Sequence, residues 1–229
     1  MKVVVSLSGG LDSSTVVGQY IEKGFEIIPV HFQYGSKHNE YEKKAMYAVA
    51  AHYDIDVRVI NMTTPFKHMK SNLMKSGGDI PEGHYTSDNM SLTVIPGRNT
   101  IFAAIMLGIA ESENADVIAL GTHLGDHDIY PDCRPEYIKA LDKTVQLASD
   151  GAVRVEAPFI NTDKIGICKV GLDIGVPYEY TRTCYKDQPI SCGKCGSCVE
   201  RLESFAANES IDPILYEDSE YYKNIIAKK

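Results

Sequence analysis

The sequence predicts an α/β protein built on a parallel sheet, and three observations carry that prediction. Short runs rich in Val and Ile alternate with longer segments of helical periodicity, as strands joined by crossover helices require. A glycine-rich turn sits where the first such run meets the first helix. The alternation then stops at Arg182, where a cluster of cysteines begins.

The strand-like runs cover residues 2–7, 25–31, 55–60, 115–121 and 153–157. Helical periodicity covers 11–23, stopped by Gly24, then 40–53, 99–113 opened by Asn99, 134–148, and 162–174 capped by Thr162. Between about 75 and 97 the chain turns to Gly, Pro, Ser and Asp, a length that is usually functional or disordered when it lacks regular structure, and it reads as a lid. A short helical run at 199–207 precedes a tail rich in Tyr and Glu. These features divide the chain into an α/β domain over 1–180 and a C-terminal lobe and tail over 181–229, with no internal repeat.

With 229 residues, 44% of them hydrophobic and 24% charged, the chain is long enough to bury a sizeable core. A formal charge of -8 argues against direct nucleic-acid binding, which needs a clustered cationic surface, and favours a small-molecule substrate. No apolar run reaches the roughly 18 residues that a membrane span needs. Met1 leads into a strand and not a signal sequence, so a cytoplasmic location is expected. Four of the six cysteines fall between residues 184 and 198, which suits metal ligation in a reducing compartment better than disulfides.

The string Val3-Val4-Val5-Ser6-Leu7 runs into Ser8-Gly9-Gly10-Leu11-Asp12-Ser13-Ser14 and then an apolar helix. Free backbone N–H groups and the positive end of a helix dipole gather at such a join, and glycine lets a phosphate approach the main chain closely. The hydroxyls of Ser8, Ser13 and Ser14 add donors. No Lys-Ser or Lys-Thr pair follows, so this is not the Walker loop that holds a transferable γ-phosphate. The loop suits the whole pyrophosphate leaving group of ATP, with Asp12 holding Mg2+ or a positioning donor. The plainer reading is a turn in which Asp12 and the serines only cap the helix. SGGLDSS resembles the signature of the N-type ATP pyrophosphatases, which include NAD synthetase, GMP synthetase, argininosuccinate synthetase and several tRNA thiolases. That resemblance implies a doubly wound five-stranded sheet of order 3-2-1-4-5, like that of the adenine nucleotide alpha hydrolases, with ATP across the carboxyl ends of the strands.

Cys184, Cys192, Cys195 and Cys198 form C-x7-C-x2-C-x2-C, with Gly193 and Gly196 each following a cysteine and allowing tight turns. Four thiolates favour one tetrahedral Zn2+, and a closed shell of four makes the ion structural, a staple for the C-terminal lobe. An iron–sulfur cluster is the rival, disfavoured because no Cys-Pro follows Cys198. A redox dithiol is weaker still, because a reactive pair needs only two cysteines. Cys168 falls within a helix and reads as a small buried hydrophobe.

Three further strings narrow the family: Ile95-Pro96-Gly97-Arg98-Asn99, GTHLGDHDIYPDCR over 121–134, and TRTCYKDQPISCGKCGSC over 181–198. With the phosphate loop and Tyr34-Gly35 they resemble the 7-cyano-7-deazaguanine synthase family, in order, from residue 3 to about 205. Two places depart from the family pattern: Ser36-Lys37-His38 replaces Gln-Arg-His, and Tyr41, flanked by Glu40 and Glu42, replaces an acidic residue.

The resemblance implies that 7-carboxy-7-deazaguanine, ammonia and two ATP yield the nitrile, with Mg2+ accompanying ATP. Leu7 through Ser14 would bind ATP, and Asp12, Arg98 and Lys164 would be catalytic. Arg98, Asn99, Asp126, Tyr130, Asp132 and Arg134 would face the substrate. Plainer readings stand beside these: a surface ion pair for Arg98, a helix cap for Asp132, and capping for Thr162 and Asp163. His123, His127 and Asp128 read as a chance cluster and not a metal site. A tRNA thiolase that adenylates a base carbonyl is the nearest rival, and a non-catalytic nucleotide-binding regulator is a second. The sequence leaves the ammonia donor and the oligomeric state open, a homodimer among the options.

Overall fold

Val3, Val4 and Val5 are all buried, and because successive side chains on a strand point to opposite faces, this run needs cover on both sides. In the computed structural model, which describes residues 1–85 and 88–227, that run is the central strand of a five-stranded sheet. The strands are β1 (Lys2–Ser6), β2 (Glu26–Gln33), β3 (Arg58–Asn61), β4 (Val117–Ala119) and β5 (Arg154–Glu156). They lie in the order β3-β2-β1-β4-β5, every pair parallel, as the family resemblance implied.

The helices are α1 (Leu11–Glu22), α2 (Asn39–His52), α3 (Thr63–Phe66), α4 (Arg98–Glu113), α5 (Pro135–Ala148), α6 (Lys164–Asp173), α7 (Gly196–Ala207) and α8 (Tyr221–Ile226). Val4 packs with Phe102 and Met106 of α4 on one face, while Val3 and Val5 pack with Val16 and Val17 of α1 and Ile167 of α6 on the other. Each such side chain fully removed from water contributes about 1.5–3 kcal/mol, so the alternation along β1 ties both helical layers to one strand. Among the described residues no helix is long and apolar enough to cross a membrane.

Several boundaries differ from the sequence expectation for identifiable reasons. β3 begins at Arg58 and not at 55, because the Ile55 N–H turns back to the carbonyl of Ala50 and closes α2. β4 and β5 are three residues each, shorter than the apolar runs that announced them, since residues beyond the ladder stay buried. Asn99 does not open α4. The N-cap is Gly97, left-handed at φ 67°, and the Asn99 N–H is donated to Asp132 Oδ2 instead. Asp163, and not Thr162, caps α6, its Oδ1 accepting the Gly166 N–H at 2.8 Å. The helices α3 and α8 and the short 3-10 turns at Asp88–Thr93, Leu124–Asp126, Pro131–Cys133 and Tyr178–Tyr180 were not expected.

The C-terminal segment is held to the sheet domain by α7. Phe205 of α7 joins the apolar cluster of Ile167 and Tyr178. Arg201 is completely buried, its guanidinium bidentate to Asp212 at 2.7 and 2.9 Å and donating to the Tyr178 carbonyl.

Candidate active site

The carboxyl ends of β1, β2 and β4 open into one pocket, the position where open parallel sheets hold ligands. Its floor is the loop between β1 and α1. Leu7 extends the ladder, its N–H donating to Val30 O at 2.8 Å, and the chain then turns through Gly9 at φ 86°. A β-carbon on Gly9 would collide with the backbone of Met46, so the glycine is needed both for its dihedral and for this close approach to α2. The Ser8 hydroxyl accepts the Gly10 N–H at 3.1 Å and meets Ser13 Oγ at 3.0 Å. α1 starts after Gly10 without a side-chain cap, which leaves its N-terminal N–H groups to serve a ligand. Behind the floor, the N–H of Arg182 donates to Gly9 O at 2.8 Å, so the segment after the sheet domain supports the loop.

Two groups of polar side chains surround the pocket. On the phosphate-loop side, Lys164 Nζ lies 2.6 Å from Asp12 Oδ2 and 3.3 Å from Glu200 Oε2. Burial opposes ionisation of Asp12, but the Lys164 ammonium and then His123 more than offset it and hold the carboxyl below its ordinary range. Burial likewise opposes charge on Lys164, and Asp12 and Glu200 reverse it, so the amine stays protonated. Burial pushes Glu200 upward against the pull of Lys164. His123 Nδ1 accepts the Gly125 N–H at 3.1 Å and its Nε2 stands 3.6 Å from Asp126 Oδ2.

The second group is largely aromatic and comprises Arg98, Tyr34, Tyr130, Tyr185, His38 and Glu42. Arg98 forms no ion pair with a carboxylate among the described residues; burial disfavours its charge, and the surrounding tyrosines and Cys133 maintain it. His38 and Glu42, one turn apart on α2, approach to 3.7 Å. Burial raises Glu42 to about 8 despite Arg98 and Arg182, and burial followed by those same two guanidinium groups lowers His38 to about 3.

Of the stretch expected to be a lid, Tyr85 lines this pocket and its hydroxyl donates to Asp126 Oδ1 at 2.9 Å, while Met90, Thr93 and Ile95 are buried and Thr93 Oγ1 meets Tyr130 Oη at 2.8 Å. Residues 86 and 87 of that stretch lie outside the described residues.

The pocket therefore brings together Leu7, Ser8, Gly10, Asp12, Ser13, Arg98, Asn99, Asp126, Tyr130 and Lys164 from the sequence reading. Leu11 and Ser14 are fully buried behind the loop, and Gly9 backs onto α2. Asp132 and Arg134 stand outside the lining: Asp132 accepts the Asn99 N–H at 3.1 Å, and exposed Arg134 donates from Nε to the His127 carbonyl at 2.8 Å. Thus Asp132 serves the helix before it and not the one after. His38, Glu42, His123, Arg182, Tyr85 and Tyr185 line the wall without having been singled out as site residues. For His38 and Glu42 the i, i+4 spacing was the available signal, since it puts both on one helix face; Glu200 had none.

Cys184, Cys192, Cys195 and Cys198 converge, with their sulfurs within 4.8 Å of one another and all four buried. The N–H groups of Lys194 and Cys195 point at Cys192 Sγ from 3.4 and 3.3 Å, and Cys192 N–H points at Cys184 Sγ from 3.4 Å. Such donors stabilise thiolate, so the four side chains fit a metal ion by chemistry as well as by spacing. Gly193, at φ 74°, makes the turn, whereas Gly196 is helical and its missing side chain makes room for Met90. Cys168 is buried in α6, apart from the cluster.

A family model described as Queuosine biosynthesis protein QueC matches residues 2–209. The 7-cyano-7-deazaguanine synthase 2 of Colwellia psychrerythraea is 43% identical over 222 residues, which cover 94% of this chain and 98% of that protein. The 7-cyano-7-deazaguanine synthase of Pseudoalteromonas atlantica is 40% identical over 220 residues, covering 94% and 99%. Among solved structures, a 4-thiouridine synthetase in complex with RNA and ATP aligns with a TM-score of 0.50 at 19% identity, over 99% of this chain and 50% of that one. NMN synthetase from Francisella tularensis aligns with a TM-score of 0.50 at 13% identity, over 97% and 83%. At those identities the two structures establish a shared fold alone.

Proposed function

The chain belongs to the QueC family of queuosine biosynthesis proteins, and from that premise we propose that it converts 7-carboxy-7-deazaguanine and ammonia to 7-cyano-7-deazaguanine with ATP. The observation that carries this reading is one pocket lined both by a phosphate loop with Asp12 and Lys164 and by the Arg98 guanidinium, which lies among tyrosines and pairs with no carboxylate among the described residues.

A carboxylate is a poor electrophile, so its oxygen is first joined to AMP with release of pyrophosphate. Ammonia then displaces AMP and leaves an amide. A second AMP transfer, to the amide oxygen, lets AMP depart with that oxygen as the nitrile forms and two N–H protons are lost. Both halves need the same two things, a cradle for pyrophosphate and a clamp on the carbonyl-bearing group, so one site serves both.

The N–H groups at the start of α1 and the hydroxyls of Ser8 and Ser13 bind the departing pyrophosphate, and the Lys164 ammonium neutralises its charge. Arg98 holds the substrate carboxylate in a bidentate pair, supported by the absence of any carboxylate partner of its own among the described residues. Asn99, Asp126 and Tyr130 face the deazaguanine edge, and Tyr85 excludes water. Asp132 and Arg134 act on this face indirectly, by holding α4 and the 131–133 turn in place. Asp12 Oδ1 is buried without a hydrogen-bond partner among the described residues, which supports Asp12 as the holder of Mg2+, whose chemistry is to neutralise phosphate charge. The four cysteines would hold one structural Zn2+: an ion about 2.3 Å from each sulfur sets them roughly 3.8 Å apart, close to the 4.0 Å between Cys192 and Cys198. An iron–sulfur cubane would hold them farther apart. The net charge of -8 supports a free small-molecule substrate over tRNA, and a cytoplasmic enzyme using free ammonia is part of the same reading.

Incubation with the carboxylate, ammonium, ATP and Mg2+ is expected to give the mass of the nitrile with two AMP per product. AMP release that does not depend on the carboxylate overturns the proposal.

A further inference from the structure

Lys164 lies between two carboxylates where one would neutralise it: Asp12 accepts its hydrogen bond at 2.6 Å, and Glu200 forms an ion pair with it at 3.3 Å. Asp12 reaches it from the first turn of α1, and Glu200 from the middle of α7, two residues after Cys198. Both Lys164 and Glu200 are nearly closed to water, with side-chain exposures of 7% and 12%. Burying a second carboxylate opposes folding unless it gains something specific. Glu200 Oε1 also lies close to the turn that carries His123 and Asp126: a β-carbon on Gly125 would come within 3.0 Å of it.

The gain follows from what ATP must do on arrival. A polyphosphate approaching the α1 N-terminus competes with Asp12 for the ammonium, and a lysine on a four-carbon stem held from one side would follow whichever anion is nearer. A carboxylate on a third element removes that freedom. We propose that Glu200 is a positioning residue, which holds the Lys164 ammonium at the mouth of the phosphate loop and thereby makes the cysteine lobe part of the phosphate-binding apparatus. Its kinetic expression rests on the nitrile-forming activity proposed above; its structural expression does not.

The test uses the full-length, metal-loaded protein and Glu200→Gln, which removes the charge and keeps the shape. Removing a carboxylate near the polyphosphate does not weaken ATP binding, so KM for ATP should stay within about threefold while kcat falls about 10- to 100-fold. Independently, brief treatment with an amine-acylating reagent, read by peptide mass spectrometry, should label Lys164 about tenfold more in the variant. Exposed Lys169 on the same helix serves as the unchanged reference. Metal content should equal that of the wild type. Unchanged kcat with unchanged Lys164 labelling overturns the proposal, as does a parallel loss of metal, ATP affinity and turnover, which marks Glu200 as merely structural. If wild-type enzyme makes no nitrile, the reaction assigned above fails, and the labelling arm alone still decides the role of Glu200. Should Glu200→Gln not fold, Glu200→Asp, with the carboxylate withdrawn by one methylene, is expected to change both readouts about threefold, and wild-type values overturn the proposal.

Discussion

Glu42 Oε2 lies 3.7 Å from His38 Nε2 across one turn of α2, yet the two form an uncharged pair at neutral pH. Burial raises Glu42 from 4.5 to about 8, so its contribution to stability is complete below 4.5 and is lost as pH rises through 8. Burial lowers His38 from 6.5 to about 3, so its contribution is complete above 6.5 and is lost as pH falls through 3. Glu42→Gln removes the alkaline loss alone. At pH 8 the variant should exceed wild type in unfolding free energy by about 2–4 kcal/mol, with no such gain near pH 4.5. Urea titrations at both pH values check this, and parallel pH profiles for the two proteins would sink it.

Lys164→Met strands Asp12 and Glu200 as two buried carboxylates without their cation. Stability should fall by about 3–5 kcal/mol. Asp12→Asn leaves the Lys164–Glu200 pair in place and should lower stability by no more than about 1–3 kcal/mol. Pyrophosphate release should fall at least about 100-fold in both, since each removes a charge aimed at the phosphate site. Equal stability losses in the two variants would contradict the shared grip on Lys164.

Arg98→Met removes a guanidinium that pairs with no carboxylate among the described residues. The effect should therefore fall on recognition: kcat/KM for the carboxylate substrate is expected to drop about 100-fold, with a melting temperature near that of wild type. A variant that melts early while keeping its substrate affinity would assign Arg98 to the scaffold.

Elemental analysis of the purified protein should return about one zinc per chain. Cys195→Ser should lower that content and the melting temperature together, because the four buried sulfurs share one centre. Iron with acid-labile sulfide in place of zinc would reject the single-ion assignment.

The glycine loop and the five strands were legible because their signals are local: an apolar run buried on both faces, a turn that only glycine can make, and a helix following directly. The limits of β4 and β5 were not, since buried Ala115, Leu120 and Val153 lie beyond the ends of the strands. Asn99 misled for a related reason. Its side chain suits a helix cap, but the left-handed Gly97 already occupied that place, and the partner of its N–H, Asp132, lies on another segment. Asp132 and Arg134 looked like ligand contacts because polar residues after a strand's carboxyl end usually are; hydrogen bonds to Asn99 and His127 occupy them instead. Glu200 is the opposite case. Nothing nearby in the sequence distinguishes it from any other acid on an amphipathic helix, and its meaning comes only from Lys164, brought to it by the packing of α7 on α6.

The amide of Arg182 that braces Gly9 and the carboxylate of Glu200 that steadies Lys164 both come late in the chain. A ribosome adding about 5–20 residues per second makes the nascent loop wait roughly 10–40 s for these supports. Until then the turn at Gly9 stands without the amide that braces it, and its geometry is completed only when nearly the whole chain has emerged.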